Sequence, residues 1–221
     1  KPVPAGSLTK ELIKTTNQKY EITDIAHAQY PFLHRIRALR DIGPEVKAGD
    51  MGGFVESESN LSCEPDDDAW IFDNAIACNG AYVDQDASLR DCAVACDNAY
   101  ISRNAVLSGY ARAEDDSYIR GAALSEQARA SGQSMILQSA TNKCAPVLSG
   151  YCAVYGKVSG DVRLTGMALV VSGEEICNDT LDTLVISEKG RSVIRDPSRD
   201  ELAPKETPRQ QDKGKERGMS R

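Results

Sequence analysis

A base that titrates near neutrality is almost missing from this chain. Of its 221 residues only two are histidines, His27 and His34. Imidazole is the side chain whose ordinary pKa suits proton transfer near pH 7, so chemistry that needs one must draw on the first 34 residues. Aromatic residues make up only 5%, which excludes a wide core built around rings and favours a thin one. No run of about 18 apolar residues occurs, so no membrane-spanning helix is expected. The seven cysteines are odd in number, contain no Cys-x-x-Cys pair and have no histidine at ligand spacing. That argues against both a disulfide framework and a zinc site, and for a reducing, cytoplasmic setting. No apolar signal core follows Lys1, so an export signal is not expected.

What the chain does have is a repeat. Alanine or serine occupies every sixth place through Ala69, Ala75, Ala81, Ala87, Ala93, Ala99, Ala105, Ala111 and Ser117. Two residues after each stands Ile71, Ala77, Val83, Leu89, Ala95, Ile101, Leu107, Ala113 or Ile119. Residues two apart in an extended strand face the same way, so both places point inward. Asp, Asn and Gly crowd the last two places of the hexad, where they suit tight corners. Tyr82, Tyr100 and Tyr118 recur every 18 residues, so three hexads make one turn of a triangular prism. The fold expected is all-β: a parallel β-helix of three short strands per 18-residue coil.

The hexad resembles that of hexapeptide-repeat left-handed β-helix proteins, and the left hand is implied by that resemblance alone. A second likeness precedes the coil. His34-Arg35-Ile36-Arg37-Ala38-Leu39-Arg40-Asp41, then Val46-Lys47-Ala48-Gly49-Asp50-Met51-Gly52-Gly53-Phe54-Val55-Glu56-Ser57-Glu58, is similar to the leader of bacterial, phage and mobile-element β-helix proteins. Some of those are named as acyltransferases from their fold. The resemblance spans roughly residues 33–186.

Composition divides the chain into a polar, flexible start (1–18), apolar stretches broken by Gly43-Pro44 and Gly52-Gly53 that cap the coil (19–65), the β-helix (66–188) and a charged, disordered tail (189–221). Within the helix, regular coils run over 69–140, a loop over 141–148 and looser coils over 149–188. An open coil end exposes core and strand edges, so a cap is required. Residues 66–140 carry 5 basic and 12 acidic side chains, while 189–221 carry 10 and 6. The basic tail is the only segment that favours nucleic acid, and it has no interleaved aromatics for base stacking.

Candidate chemistry is sparse. Acyltransferases of the resembled family use a histidine from the coil or its loops to deprotonate the acceptor of an acyl-CoA donor. The coil here has none, leaving His34 as the weak catalytic candidate, with His27 behind it. Glu114 stands alone in the column Cys78, Cys96, Glu114 and is expected to be a solvated carboxylate. Cys78 and Cys96, one coil apart, lie about 4.8 Å from each other at the Cα and are expected to be ladder thiols. Asp66-Asp67-Asp68 and the column Asn79, Asp97, Asp115 lack the converging oxygens of a calcium site, so no metal is expected.

The outward second place of each hexad carries the interface candidates. One wall has Tyr82, Tyr100 and Tyr118, extended to Ile136. The wall before it has Ile76, Val94 and Arg112, and the third has Trp70, Ser88, Val106 and Leu124. Such ladders either stack on themselves under the cap or meet a partner or second copy. The function expected is a non-catalytic β-helical scaffold that needs no cofactor and assembles with itself or a protein partner through the tyrosine wall. The alternative is an acyltransferase using acyl-CoA.

Overall fold

The computed structural model describes residues 17–196. It is a parallel β-helix of about seven stacked coils, and no helix among the described residues is long and apolar enough to cross a membrane. Three sheets form three walls. The alanine wall stacks Ile76–Ala77, Val94–Ala95, Arg112–Ala113, Arg129–Ala130, Ala153–Val154 and Leu169–Val170. The tyrosine wall runs from Tyr82–Val83 through Tyr100–Ser102 and Tyr118–Arg120 to Glu175–Asn178. The leucine wall runs from Trp70–Ile71 through Ser88–Leu89 and Val106–Leu107 to Gly190–Ile194.

The inward places are the expected ones. Ala77, Ala95, Ala113, Ile71, Leu89, Leu107, Val83, Ile101 and Ile119 are all fully buried. Three walls meeting at a narrow axis leave room only for small and aliphatic side chains, which is why the hexad begins with alanine. Corners turn through left-handed backbone at Asp73 (φ 49°), Asp91 (φ 57°) and Asp97 (φ 59°), a conformation that Asp and Asn tolerate better than most residues.

The 18-residue count holds through the first coils and first fails at Gly121. At Gly121 (φ 68°) a corner closes with one residue fewer, so Val106 pairs with Ala123 and Leu107 with Leu124, while Tyr118 pairs with Met135 and Ile119 with Ile136. Leu124 and Ile136, expected outward, are therefore buried in the core, and Ala123 and Met135 take their outward places. The expected loop over 141–148 is shorter too, because Val147–Leu148 is a strand of the leucine wall.

The cap consists of β1 (Tyr20–Ala26), β2 (His34–Ala38) and β3 (Met51–Val55). These pair antiparallel in sequence, and β3 then joins the alanine wall in parallel, Phe54 opposite Ile76. The leader motif builds this junction. A Cβ on Gly52 would lie 2.6 Å from the Ile36 side chain and 2.7 Å from the Ile71 carbonyl, and one on Gly53 would overlap the Ala75 carbonyl. Arg35 donates to the carbonyls of Gly52 and Asp73, each at 2.8 Å, and lies over the Phe54 ring. Trp70 points outward, as expected, and is buried beneath the cap, edge to face with Tyr20 at 6.2 Å between centroids. Ser88 is buried as well. On the tyrosine wall, buried Asn60 closes the first coil by donating to the carbonyls of Asn79 and Ala81, each at 2.9 Å.

The far end is finished differently. Thr183–Ser187 extends the leucine wall and turns back into Gly190–Ile194. The expected start of a disordered tail at 189 is not met, since residues 190–194 are a paired strand. The rest of that tail, from 197, and the expected flexible start, apart from Asn17 and Gln18, lie outside the described residues.

Candidate functional site

The tyrosine wall carries its three rings in one register column. Tyr100 and Tyr118 stack at 5.2 Å with planes 8° apart, and Tyr82 and Tyr100 at 6.0 Å and 23°. The rings thus spend their faces on one another. Tyr100 donates its hydroxyl to Asp84 Oδ2 at 2.9 Å. Burial, and then the bond to Asp84, push the Tyr100 phenol up to about 12. Burial also raises the Asp84 carboxyl, with the nearby Asp67 charge adding to the effect. Beside this column a polar cleft of about 720 Å³ is lined by Tyr82, Asp84, Asp67, Asp86, Arg103 and neighbours.

Ile76 and Val94 lie on the alanine wall, paired with each other in register. Both are half-buried. The interface candidates therefore occupy two separate walls. Further along the alanine wall the surface becomes apolar and open. Tyr151 and Met167 are neighbours in a corner column, the Tyr151 N–H donating to the Gly166 carbonyl at 2.7 Å. Leu169 follows Ala153 in the outward ladder, and Val171 lies just beyond. Their exposures are 65% for Tyr151, 71% for Met167, 56% for Leu169 and 52% for Val171. Sequence reasoning missed these four. Apolar residues alternate on both faces of Ala153–Val154 and Leu169–Val170, a signal that inward and outward places alike were apolar there.

Glu114 is not the solvated carboxylate expected. Its side chain is only 10% exposed, between Arg112 and Arg129, and it accepts the Ser131 hydroxyl at 2.7 Å. Arg112 Nε lies 3.4 Å from Glu114 Oε2, and Arg129 bonds Oε1. Burial opposes ionisation here, but the Ser131 hydroxyl and the Arg129 guanidinium outweigh it and hold the carboxyl below its ordinary value. Glu114 lies above Cys96, which lies above Cys78 in the same ladder. Every cysteine is a free thiol. Burial, then the Asp97 charge, push Cys96 up to about 12, and burial likewise raises Cys78. Thiols so shifted are poor nucleophiles at neutral pH.

Both histidines belong to the cap. His27 Nδ1 accepts the N–H groups of Gln29 and Tyr30, at 3.2 and 3.3 Å, and its ring meets Tyr30 and Phe54. His34 is half-buried in β2, opposite Val55. Asp67 accepts the backbone N–H groups of Ala69, Gln85 and Asp86, so its carboxylate fastens two coils. Among the described residues no group of three or more His, Cys, Asp or Glu side chains is placed to hold a metal ion. No protein-family model and no curated protein matches the chain. The β-helix alone does not select a function.

Proposed function

We propose that the protein is a non-catalytic scaffold that docks a protein partner through the outward face of its alanine wall. The exposed run Tyr151, Met167, Leu169 and Val171 carries this reading. Isolated exposed apolar residues are ordinary on a protein surface, but four large ones on two successive coils form a contiguous patch of the kind that partners cover. Stacked short strands make the patch stiff, so little conformational entropy is lost on docking. The tyrosine column is assigned to the rod itself, because its rings already stack face to face and each aligned pair contributes roughly 0.2–1 kcal/mol to the ladder.

The test is selection of a displayed random-peptide library on the immobilised full chain, beside sedimentation of the free protein over a range of concentrations. Met167→Ser with Leu169→Ser should abolish enrichment, or any self-association, without lowering the melting temperature. Enrichment that the double variant leaves intact, or a monomer that enriches nothing, would overturn the reading.

A further inference from the structure

On the same wall, one step toward the cap from the apolar patch, lies an electrostatic imbalance. Five other ion pairs match one cation to one anion: Arg37 with Glu21, Lys47 with Asp41, Arg90 with Glu45, Lys157 with Glu175 and Arg191 with Glu174. Glu114 serves two, Arg112 and Arg129. The carboxylate is buried, whereas the two guanidinium side chains are 50% and 49% exposed. Glu114, itself anchored by Ser131, thus works as a post that presents two arginines outward with a net charge of +1. Arg112 contacts it through Nε, and its two terminal nitrogens have no hydrogen-bond partner among the described residues.

These arginines edge a groove of about 590 Å³ whose other walls are Cys92, Val94, Tyr110 and Gln127. Its far side continues directly into the apolar patch. Arg129 is followed in the ladder by Ala153 and then Leu169. Gln127 is followed in the corner column by Tyr151, its N–H bonding the Gly150 carbonyl at 2.9 Å. A cationic notch therefore opens onto an apolar strip.

We propose that this groove selects the partner's chemistry: an exposed protein segment in which an Asp or Glu carboxylate is flanked by large apolar side chains. The inference rests on the docking reading above. The carboxylate takes the free terminal nitrogens of Arg112 in charge-assisted hydrogen bonds, and the apolar neighbours cover Val94 on one side and Tyr151 and Leu169 on the other. A planar guanidinium suits such a contact, because it is weakly hydrated and forms paired bonds to a carboxylate. A polyanion is disfavoured. The notch holds one net positive charge, and residues 66–140 carry 12 acidic against 5 basic side chains, so phosphates beyond the first would face repulsion.

The same peptide selection tests this, read by composition. Enriched peptides should carry an acidic residue beside Leu, Ile, Phe or Trp, and a synthetic copy should bind roughly tenfold or more weaker to Arg112→Gln than to the wild type. Arg112→Lys should fall between the two, since it restores the charge and not the paired geometry. Arg112→Gln leaves Glu114 its bonds to Arg129 and Ser131, so an unchanged melting curve is expected to certify the fold. Enriched peptides without acidic residues, or with affinity indifferent to Arg112→Gln, would overturn the charge assignment. The docking reading would survive that result if Met167→Ser with Leu169→Ser still removed binding. Binding of heparin or single-stranded DNA that Arg112→Gln abolishes, with no peptide enriched, would overturn both.

Discussion

Asp67 reaches one coil ahead: its Oδ2 accepts the backbone N–H of Gln85, 18 residues later, at 2.9 Å, and its Oδ1 accepts that of Asp86 at 2.9 Å. The arrangement recurs up the corners. Asp73 accepts from Asp91 at 3.1 Å, Asp91 from Gly109 at 2.8 Å and Asp115 from Gly132 at 2.8 Å. The acidic corners are therefore fasteners between coils as well as a charged coat.

Acid should undo these fasteners. Burial opposes ionisation of Asp67, but the Asp86 N–H, the Ser62 hydroxyl and the Ala69 and Gln85 N–H groups outweigh it, and its folded pKa lies below the ordinary 3.8. A depressed carboxylate supplies its full stability above the unfolded pKa and loses it as the pH falls through the folded one. The melting temperature should hold at neutral pH and drop below about pH 4. Asp84 is raised instead, so its ionised form opposes folding at neutral pH and its protonation relieves that. Asp84→Asn should raise the neutral melting temperature by roughly 1–3 °C, a gain that shrinks toward pH 4. Melts from pH 3 to 8, about one unit apart, check both signs.

The interior columns should respond in opposite directions to two substitutions. Ala95 is fully buried between Ala77 and Ala113, so Ala95→Arg forces an unpaired charge into the axis and should abolish cooperative melting. Ser117 is also buried, and its hydroxyl has no hydrogen-bond partner among the described residues. Ser117→Ala copies Ala99 one coil below and should stabilise by up to about 1 kcal/mol. Circular dichroism melts read both. A folded Ala95→Arg variant would contradict the inward assignment.

Gly53→Ala should loosen the cap. Its Cβ would overlap the Ala75 carbonyl and the Ile71 side chain, and overpacking of this kind costs roughly 1–3 kcal/mol. Hydrogen exchange should show early loss of protection in β3 and in Trp70–Ile71, with the distal coils unaffected. Uniform loss along the rod would instead mean that cap and coil melt as one unit.

The regular part of the fold was legible because side-chain size alone selects the inward places from Ala69 to Ile119. Past Gly121 a fixed count misleads. By that count Glu114 should face Gly132, and Arg112 should face Ala130. The shortened corner brings Ser131 and Arg129 there instead, which is why the carboxylate looked solitary in the sequence. Trp70 was placed outward correctly, but its particular cover, Tyr20 and Gly52, was not legible, because no local pattern reports a contact across that much chain. The distal apolar patch escaped notice because an outward Leu169 beside an inward Val170 looks, in one dimension, like ordinary core.

Gly121 removes a residue from one corner, and the excursion from Ser139 to Cys144, pinned where the Ser139 N–H meets the Cys144 carbonyl at 2.8 Å, adds several at another. The ladders on either side stay in register through both changes. The rod thus keeps its rungs and lets the rails vary, so its corners are ports. A foreign sequence spliced between Asn142 and Lys143 would hang from the molecule without moving a rung, and a lineage could acquire new attachments there while the core stayed as it is.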